Sequence, residues 1–276
     1  MSDFVLEKTT YLKSVAIRVK DRDAMIHFYR DVVGFDLKRE ENELAIFGTQ
    51  ETGSELLLLE ESPRADEHSG EIKKLHRFSL TVPSEEEMAN VLTRIRKAEY
   101  PIENALEDDD RLGILLVDPE GNEIGIYYSE VLSADTATAE PMDQEELLKK
   151  ADEAVHVLAS GTRFDKVHLN VSDLDCQRKF LDEVLGLSVQ NENNGIMVLN
   201  EGDFHVGLNE AQGGTIDLPT DSVLGLDFLK FHVSEETMSN LESRLITLKK
   251  DFFIDKKKAI ITIYDATGIE WWFVRK

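Results

Sequence analysis

Cysteine is almost absent from this 276-residue chain. Cys176 stands alone, which excludes an intramolecular disulfide and fits a reducing compartment. Long apolar runs are missing. None approaches the ~18–20 residues that a membrane-spanning helix needs. The N-terminal stretch MSDFVLEKTTYLK lacks the apolar region and small-residue cleavage site of a secretory signal. Positive charge is scarce: 31 Lys and Arg stand against 55 Asp and Glu, for a formal net charge of −24. Such a polyanion gains nothing from counterion release on DNA or RNA, and anionic membrane surfaces are disfavoured for the same reason. A cytoplasmic protein with no nucleic-acid or membrane partner is the expectation. Also missing are G-x-G-x-x-G, the phosphate-binding loop, C-x-x-C and G-x-S-x-G. QGGT at 212–215 follows a strand but opens no helix, and reads as a loop.

What the chain has is repetition. Residues 14–37, SVAIRVKDRDAMIHFYRDVVGFDL, lie over residues 166–189, KVHLNVSDLDCQRKFLDEVLGLSV, at a constant offset of 152. Val19 meets Val171, Asp21 meets Asp173, Phe28 meets Phe180 and Gly34 meets Gly186. Segments from Arg77 and from Phe228 follow the same plan more loosely. Each of the four opens with an alternating strand, then a capping residue and an acidic first helical turn. Apolar residues at helical spacing follow: Met25, Phe28, Tyr29 and Val32 in the first, Phe180, Leu181, Val184 and Leu185 in the third. Cys176 is expected to pack in the core beside Phe180 and Val184. Gly34 and Gly186 suit left-handed helix ends. Short strands come next, with DPEGN at 118–122 as turn chemistry. The plan is strand–helix–strand–strand–strand, four times over. Residues 129–163 fit none of the four. SADTATAE is a low-complexity linker, and PMDQEELLKKADEAVHVLA reads as a helix with Pro141 near its start.

The string from Val19 to Phe35 and the DPEGN turn resemble the vicinal oxygen chelate superfamily, which holds glyoxalase I, bleomycin resistance proteins and extradiol dioxygenases. Four modules in one chain look closest to the two-domain bacterial catechol 2,3-dioxygenases. The resemblance implies an α+β fold of four βαβββ modules in two domains with curled mixed sheets, residues 1–130 and 163–276, joined by the linker and helix of 131–162. It also implies a divalent metal held by two histidines and a carboxylate, open to a substrate with neighbouring oxygens.

Carried onto this sequence, the ligand positions of the first strands fall at Ser14, Arg77, Lys166 and Phe228. Those of the last strands fall at Gly125 and Trp272. None is an ordinary metal ligand. The tyrosine of ring-cleaving relatives falls at Leu115, and their third-module histidine falls at Phe204, beside His205. Strand alternation turns Lys166, His168 and Asn170 toward the cavity, as it does Arg77, Phe228, Lys230 and His232, and it turns His76 away. No metal cofactor is therefore expected. A two-residue slip would put His168 and His232 in ligand positions with Glu123 or Glu270 as carboxylate, and Fe, Mn or Zn would be the metal. His27, His68 and His156 fall on an exposed helix side, in an acidic loop and in the inter-domain helix. Arg77 and Lys166 suit capture of a small carboxylate or phenolate, or else each pairs with a carboxylate such as Glu123. Arg77, Lys166, His168, Asn170 and Tyr127 are the candidate substrate-binding residues, and no catalytic residue is assigned. Trp271 is expected in the core and Trp272 in a closed fourth cavity. Three readings follow: a small-molecule binder that has lost its metal triad, an active extradiol dioxygenase with displaced ligands, and a scaffold with filled barrels acting as a homodimer.

Overall fold

The computed structural model describes residues 4–7, 9–62, 72–108, 111–129, 139–191, 196–199 and 204–276. His68 and most of the SADTATAE linker lie outside the described residues. The chain divides into two compact units that interleave along the sequence. One takes residues 1–18, 64–76 and 166–276, the other residues 19–63 and 77–165.

In the first unit, β14 (Gly225–Val233) pairs antiparallel with β1 (Tyr11–Val19) and parallel with β17 (Glu270–Arg275). Antiparallel β16 (Ile260–Tyr264) and β15 (Phe253–Ile254) complete that side. In the same unit β10 (Arg163–Val171), from Lys166 on, pairs parallel with β13 (Phe204–Glu210), followed by β12 (Ile196–Leu199) and β11 (Ser188–Asn191). The second unit holds the meander β2 (Asp36–Glu41), β3 (Leu44–Gly48) and β4 (Leu57–Glu61). It also holds β5 (Leu75–Thr81) from Arg77 on, parallel to β8 (Glu123–Ser129). Beyond β8 come β7 (Arg111–Val117), β6 (Asn104–Asp108) and β9 (Glu140–Pro141). In the second, third and fourth modules the last strand thus returns parallel to the first, the βαβββ plan expected from the repeat. The sheets are mixed, and β15, β11, β2 and β9 are edges.

The helices begin where the capping pattern places them. Asp21, Ser84, Asp173 and Ser234 each accept a backbone N–H three residues on, at the starts of α1 (Arg22–His27), α2 (Glu85–Lys97), α4 (Leu174–Glu183) and α5 (Glu235–Thr247). α1 runs on into a π turn, Phe28–Val33, which ends at Gly34 with φ 102°. The apolar stripes are buried.

Two pins recur between successive helices and turns. Arg94 Nε donates to Val33 O at 3.1 Å, and Arg244 Nε donates to Glu183 O at 2.7 Å, so the second helix of each pair satisfies a carbonyl at the end of the first. Tyr29 Oη donates to Asp118 of the DPEGN turn at 2.7 Å. The counterpart carboxylate, Asp265, accepts from Gln177 Nε2 at 2.6 Å and Trp271 Nε1 at 2.9 Å.

Two expectations are corrected. The long linker helix is only α3 (Gln144–Leu148). Beyond it the backbone is engaged elsewhere: Asp152 N donates to Asn90 Oδ1, and Val155 O accepts from Arg94. Cys176 is exposed rather than packed in the core. The inward stripe of α4 runs through Gln177, Phe180 and Leu181, and at about 100° per residue Cys176 lies to one side of it.

Candidate functional site

In the second unit, β5 and β8 bring Arg77 opposite Glu123 and Ser79 opposite Gly125. Arg77 Nε and Nη2 stand 2.8 and 2.7 Å from Glu123 Oε2. The guanidinium at the ligand position is therefore held by its cross-strand carboxylate. Gly125 lies under the ring of Tyr127. A Cβ on Gly125 would come within 2.6 Å of Tyr127 Cε2 and 3.1 Å of Ser79 Oγ, and a Cβ on Gly113 within 2.8 Å of Tyr127 Cε1. Glycine inside a strand marks such a close approach. The Arg111 guanidinium sits over the same ring, 4.2 Å from its centroid. The carboxylate position is thus bare backbone covered by a phenol.

The third module, in the first unit, repeats this. Lys166 pairs with His205 and His168 with Gly207, so Gly207 occupies the register position of Gly125. A Cβ on Gly207 would overlap the His168 imidazole. His76 faces that imidazole edge-on, with ring centroids 6.4 Å apart at 73°. Alternation had turned His76 away. The alternation breaks in β5, where Leu75 and Phe78 are buried and His76 and Arg77 between them are both half-exposed. Asn170 Nδ2 donates to Lys73 O at 2.8 Å, so its side chain closes backbone structure. Lys74, almost wholly buried, donates from Nζ to Ile216 O and, at 2.6 Å, to Thr267 O, and burial lowers its pKa.

In the fourth module, Phe228 and Trp272 occupy the two ligand positions and stack on each other, centroids 4.5 Å apart at 16°. Trp271 on the opposite face is fully buried, as alternation predicts. In the first module Ser14 is buried opposite Lys230. His232 Nδ1 lies 3.1 Å from Tyr11 Oη. Glu270 lies opposite Tyr264 on the neighbouring strand, and the Tyr264 pKa is pushed up to about 12 by burial first and by Glu270 second. His27 pairs with Asp31 at 2.7 Å on the exposed side of α1, as its helix position implied.

The family model described as "Glyoxalase/Bleomycin resistance protein/Dioxygenase superfamily" matches residues 11–126, and the model "CppA C-terminal" matches residues 159–273. Residues 11–126 thus carry the signature of the glyoxalase/bleomycin resistance/dioxygenase superfamily. A curated relative, "Catechol-2,3-dioxygenase" of Bacillus subtilis, is 26% identical over 242 residues, 81% of this chain and 82% of its own. Among solved structures, the CppA protein of Streptococcus pneumoniae aligns over 95% of this chain and 97% of its own, with TM-score 0.65 and 18% identity. A putative dioxygenase of Bacillus subtilis aligns over 96% and 84%, with TM-score 0.67 and 16% identity. Glyoxalase I of Zea mays aligns over 97% and 92%, with TM-score 0.58 and 14% identity. At these identities the structures share the fold.

The residues of this chain do not fit the metal triad that the family resemblance implies. The positions carry a paired arginine, a lysine, ring-covered glycines and a stacked Phe–Trp pair. The displaced set fares no better: His168 packs on Gly207, His232 contacts Tyr11, Glu123 is held by Arg77, and Glu270 faces Tyr264 across the strand pair. Among the described residues, no three His, Cys, Asp or Glu side chains gather as a metal cluster. Alternation had found most of these positions. What it missed is that the Tyr127 ring covers the Gly125 position, and the signal lay in two glycines, Gly113 and Gly125, within strands of otherwise β-favouring residues. Among the described residues no helix is long and apolar enough to cross a membrane.

Proposed function

We propose that this chain binds a small molecule without the metal-centred chemistry of its relatives. The observation that carries the reading is the Tyr127 ring lying over Gly125, where a carboxylate ligand would stand. The aromatic and cationic groups on these strand faces, Arg111 with Tyr127 in one unit and Lys166 with His168 in the other, favour a small aromatic or anionic ligand. Titration with benzoate and salicylate, followed by amide chemical shifts, tests this. Binding that is lost in Lys166→Ala or Tyr127→Ala is expected, and no saturable shift with either acid overturns it.

The second reading is an active extradiol dioxygenase. The curated catechol-2,3-dioxygenase relative, matched over 82% of its length, favours it. Protein loaded anaerobically with Fe(II) and then exposed to catechol and oxygen separates the two. Stoichiometric ring-cleavage product would establish the dioxygenase, and its absence alongside ligand binding supports the first reading.

A further inference from the structure

The face of β17 that carries Trp271 and Phe273 is the one opposite Trp272, and at its end stands Arg275. Beside Arg275, α5 and the turn between β15 and β16 enclose a cavity of about 340 Å³. Glu235, Met238 and Glu242 line it from α5, and Lys256, Lys257 and Lys258 line it from the turn. Three successive lysines form a rare concentration on a chain of net charge −24.

The turn is held by one side chain. Asp255 Oδ1 accepts the N–H groups of Ala259 and Ile260, and Oδ2 accepts that of Lys257. The lysines are therefore displayed from a fixed backbone. Two of the four cations are already neutralised: Lys258 Nζ sits 2.9 and 2.8 Å from the two oxygens of Glu242, and Arg275 Nη1 sits 3.2 Å from Glu235 Oε1. Lys256 and Lys257 are exposed and make no ion pair with any described residue. Met238, almost fully buried, gives the cavity an apolar floor. The volume lies at the lower end of small-ligand sites, which run from about 300 to 1,000 Å³.

We propose that this cavity is a binding site for a small dianion, a phosphate monoester or a dicarboxylate, held between Lys256 and Lys257. Two ammonium groups without an ion-pair partner among the described residues, on a turn held by Asp255, match two negative charges. Arg275 and Lys258 extend the positive wall when their carboxylate partners yield. Lysine serves such ligands as a point charge, with no demand for planar geometry.

The test is titration of the full chain at low ionic strength with inorganic phosphate, malonate and acetate, read by calorimetry and amide shifts. Phosphate and malonate are expected to bind and acetate to bind far more weakly. Tighter phosphate assigns the monoester, and tighter malonate assigns the dicarboxylate. Lys256→Ala and Lys257→Ala should each weaken binding about two- to fivefold. Glu242→Gln should tighten it, because Lys258 is released to the cavity, whereas a purely structural pair would give no gain. Unchanged affinity in the Lys256→Ala/Lys257→Ala double variant overturns the proposal, as does acetate binding as tightly as phosphate.

Discussion

Gly125→Ala adds one carbon at the most informative point of the molecule. That Cβ would lie 2.6 Å from Tyr127 Cε2, 3.0 Å from Tyr127 Oη and 3.1 Å from Ser79 Oγ. The first approach is closer than carbon atoms tolerate, so the phenol must tilt off its two glycines and away from Arg111. Overpacking of this kind costs about 1–3 kcal/mol. Release of the Arg111–ring contact adds about 0.5–1 kcal/mol. The strand itself gains slightly from alanine over glycine, by about 0.5–1 kcal/mol, which offsets part of the loss. A net destabilisation of about 1–3 kcal/mol is expected from urea unfolding. The cause is separable by a cycle with Tyr127→Ala, which removes the obstructing ring. In that background Gly125→Ala should be neutral or stabilising, and the coupling between the two sites should be at least about 1 kcal/mol. A cost that is the same with and without Tyr127 refutes the argument that the ring occupies the ligand position.

Three further outcomes follow from contacts elsewhere. Arg94→Met strands Glu87, its ion-pair partner at 2.9 Å with both side chains about 5% exposed, and should cost about 3–5 kcal/mol in urea unfolding. Tyr29→Phe removes the buried donor to Asp118 and should cost about 1–2 kcal/mol at neutral pH. Burial, followed by Asp118, raises the Tyr29 pKa well above its ordinary value. Its contribution is therefore complete below the unfolded pKa of about 10 and declines as pH rises beyond it, where only the unfolded chain ionises. Denaturant midpoints measured from pH 8 to 11 should fall less steeply in Tyr29→Phe than in the parent. Cys176, exposed in the first turn of α4, should react with one equivalent of a thiol reagent in native buffer, at a rate close to that in denaturant.

Much of this architecture is legible in the sequence because it rests on local rules. Capping residues Asp21, Ser84, Asp173 and Ser234 start their helices, period-two strands turn alternate residues to opposite faces, and Gly34 and Gly186 end helices in the left-handed region. The same alternation separated Trp271 in the core from Trp272 in the ligand position. What escaped is set by contacts between distant segments. The linker helix stops early because Asn90 and Arg94 take backbone groups of 152 and 155. Cys176 turns outward because Gln177 takes the inward position to reach Asp265. His76 meets His168 because alternation fails at a single pair of residues in β5. The sequence offers Arg77 two partners, an anionic ligand or Glu123. Only the parallel register of β5 and β8 sets the guanidinium against that carboxylate.

At the positions where a metal triad would stand, this chain has Arg77 paired with Glu123, Lys166, Gly125 under a ring and a stacked Phe228–Trp272 pair. Metal content after equilibration with Fe(II), Mn(II) and Zn(II), measured by inductively coupled plasma mass spectrometry on the parent chain, His168→Ala and His232→Ala, tests this arrangement most directly. Far less than one metal per chain is expected in all three proteins. One tightly held equivalent in the parent that disappears in either variant would contradict it.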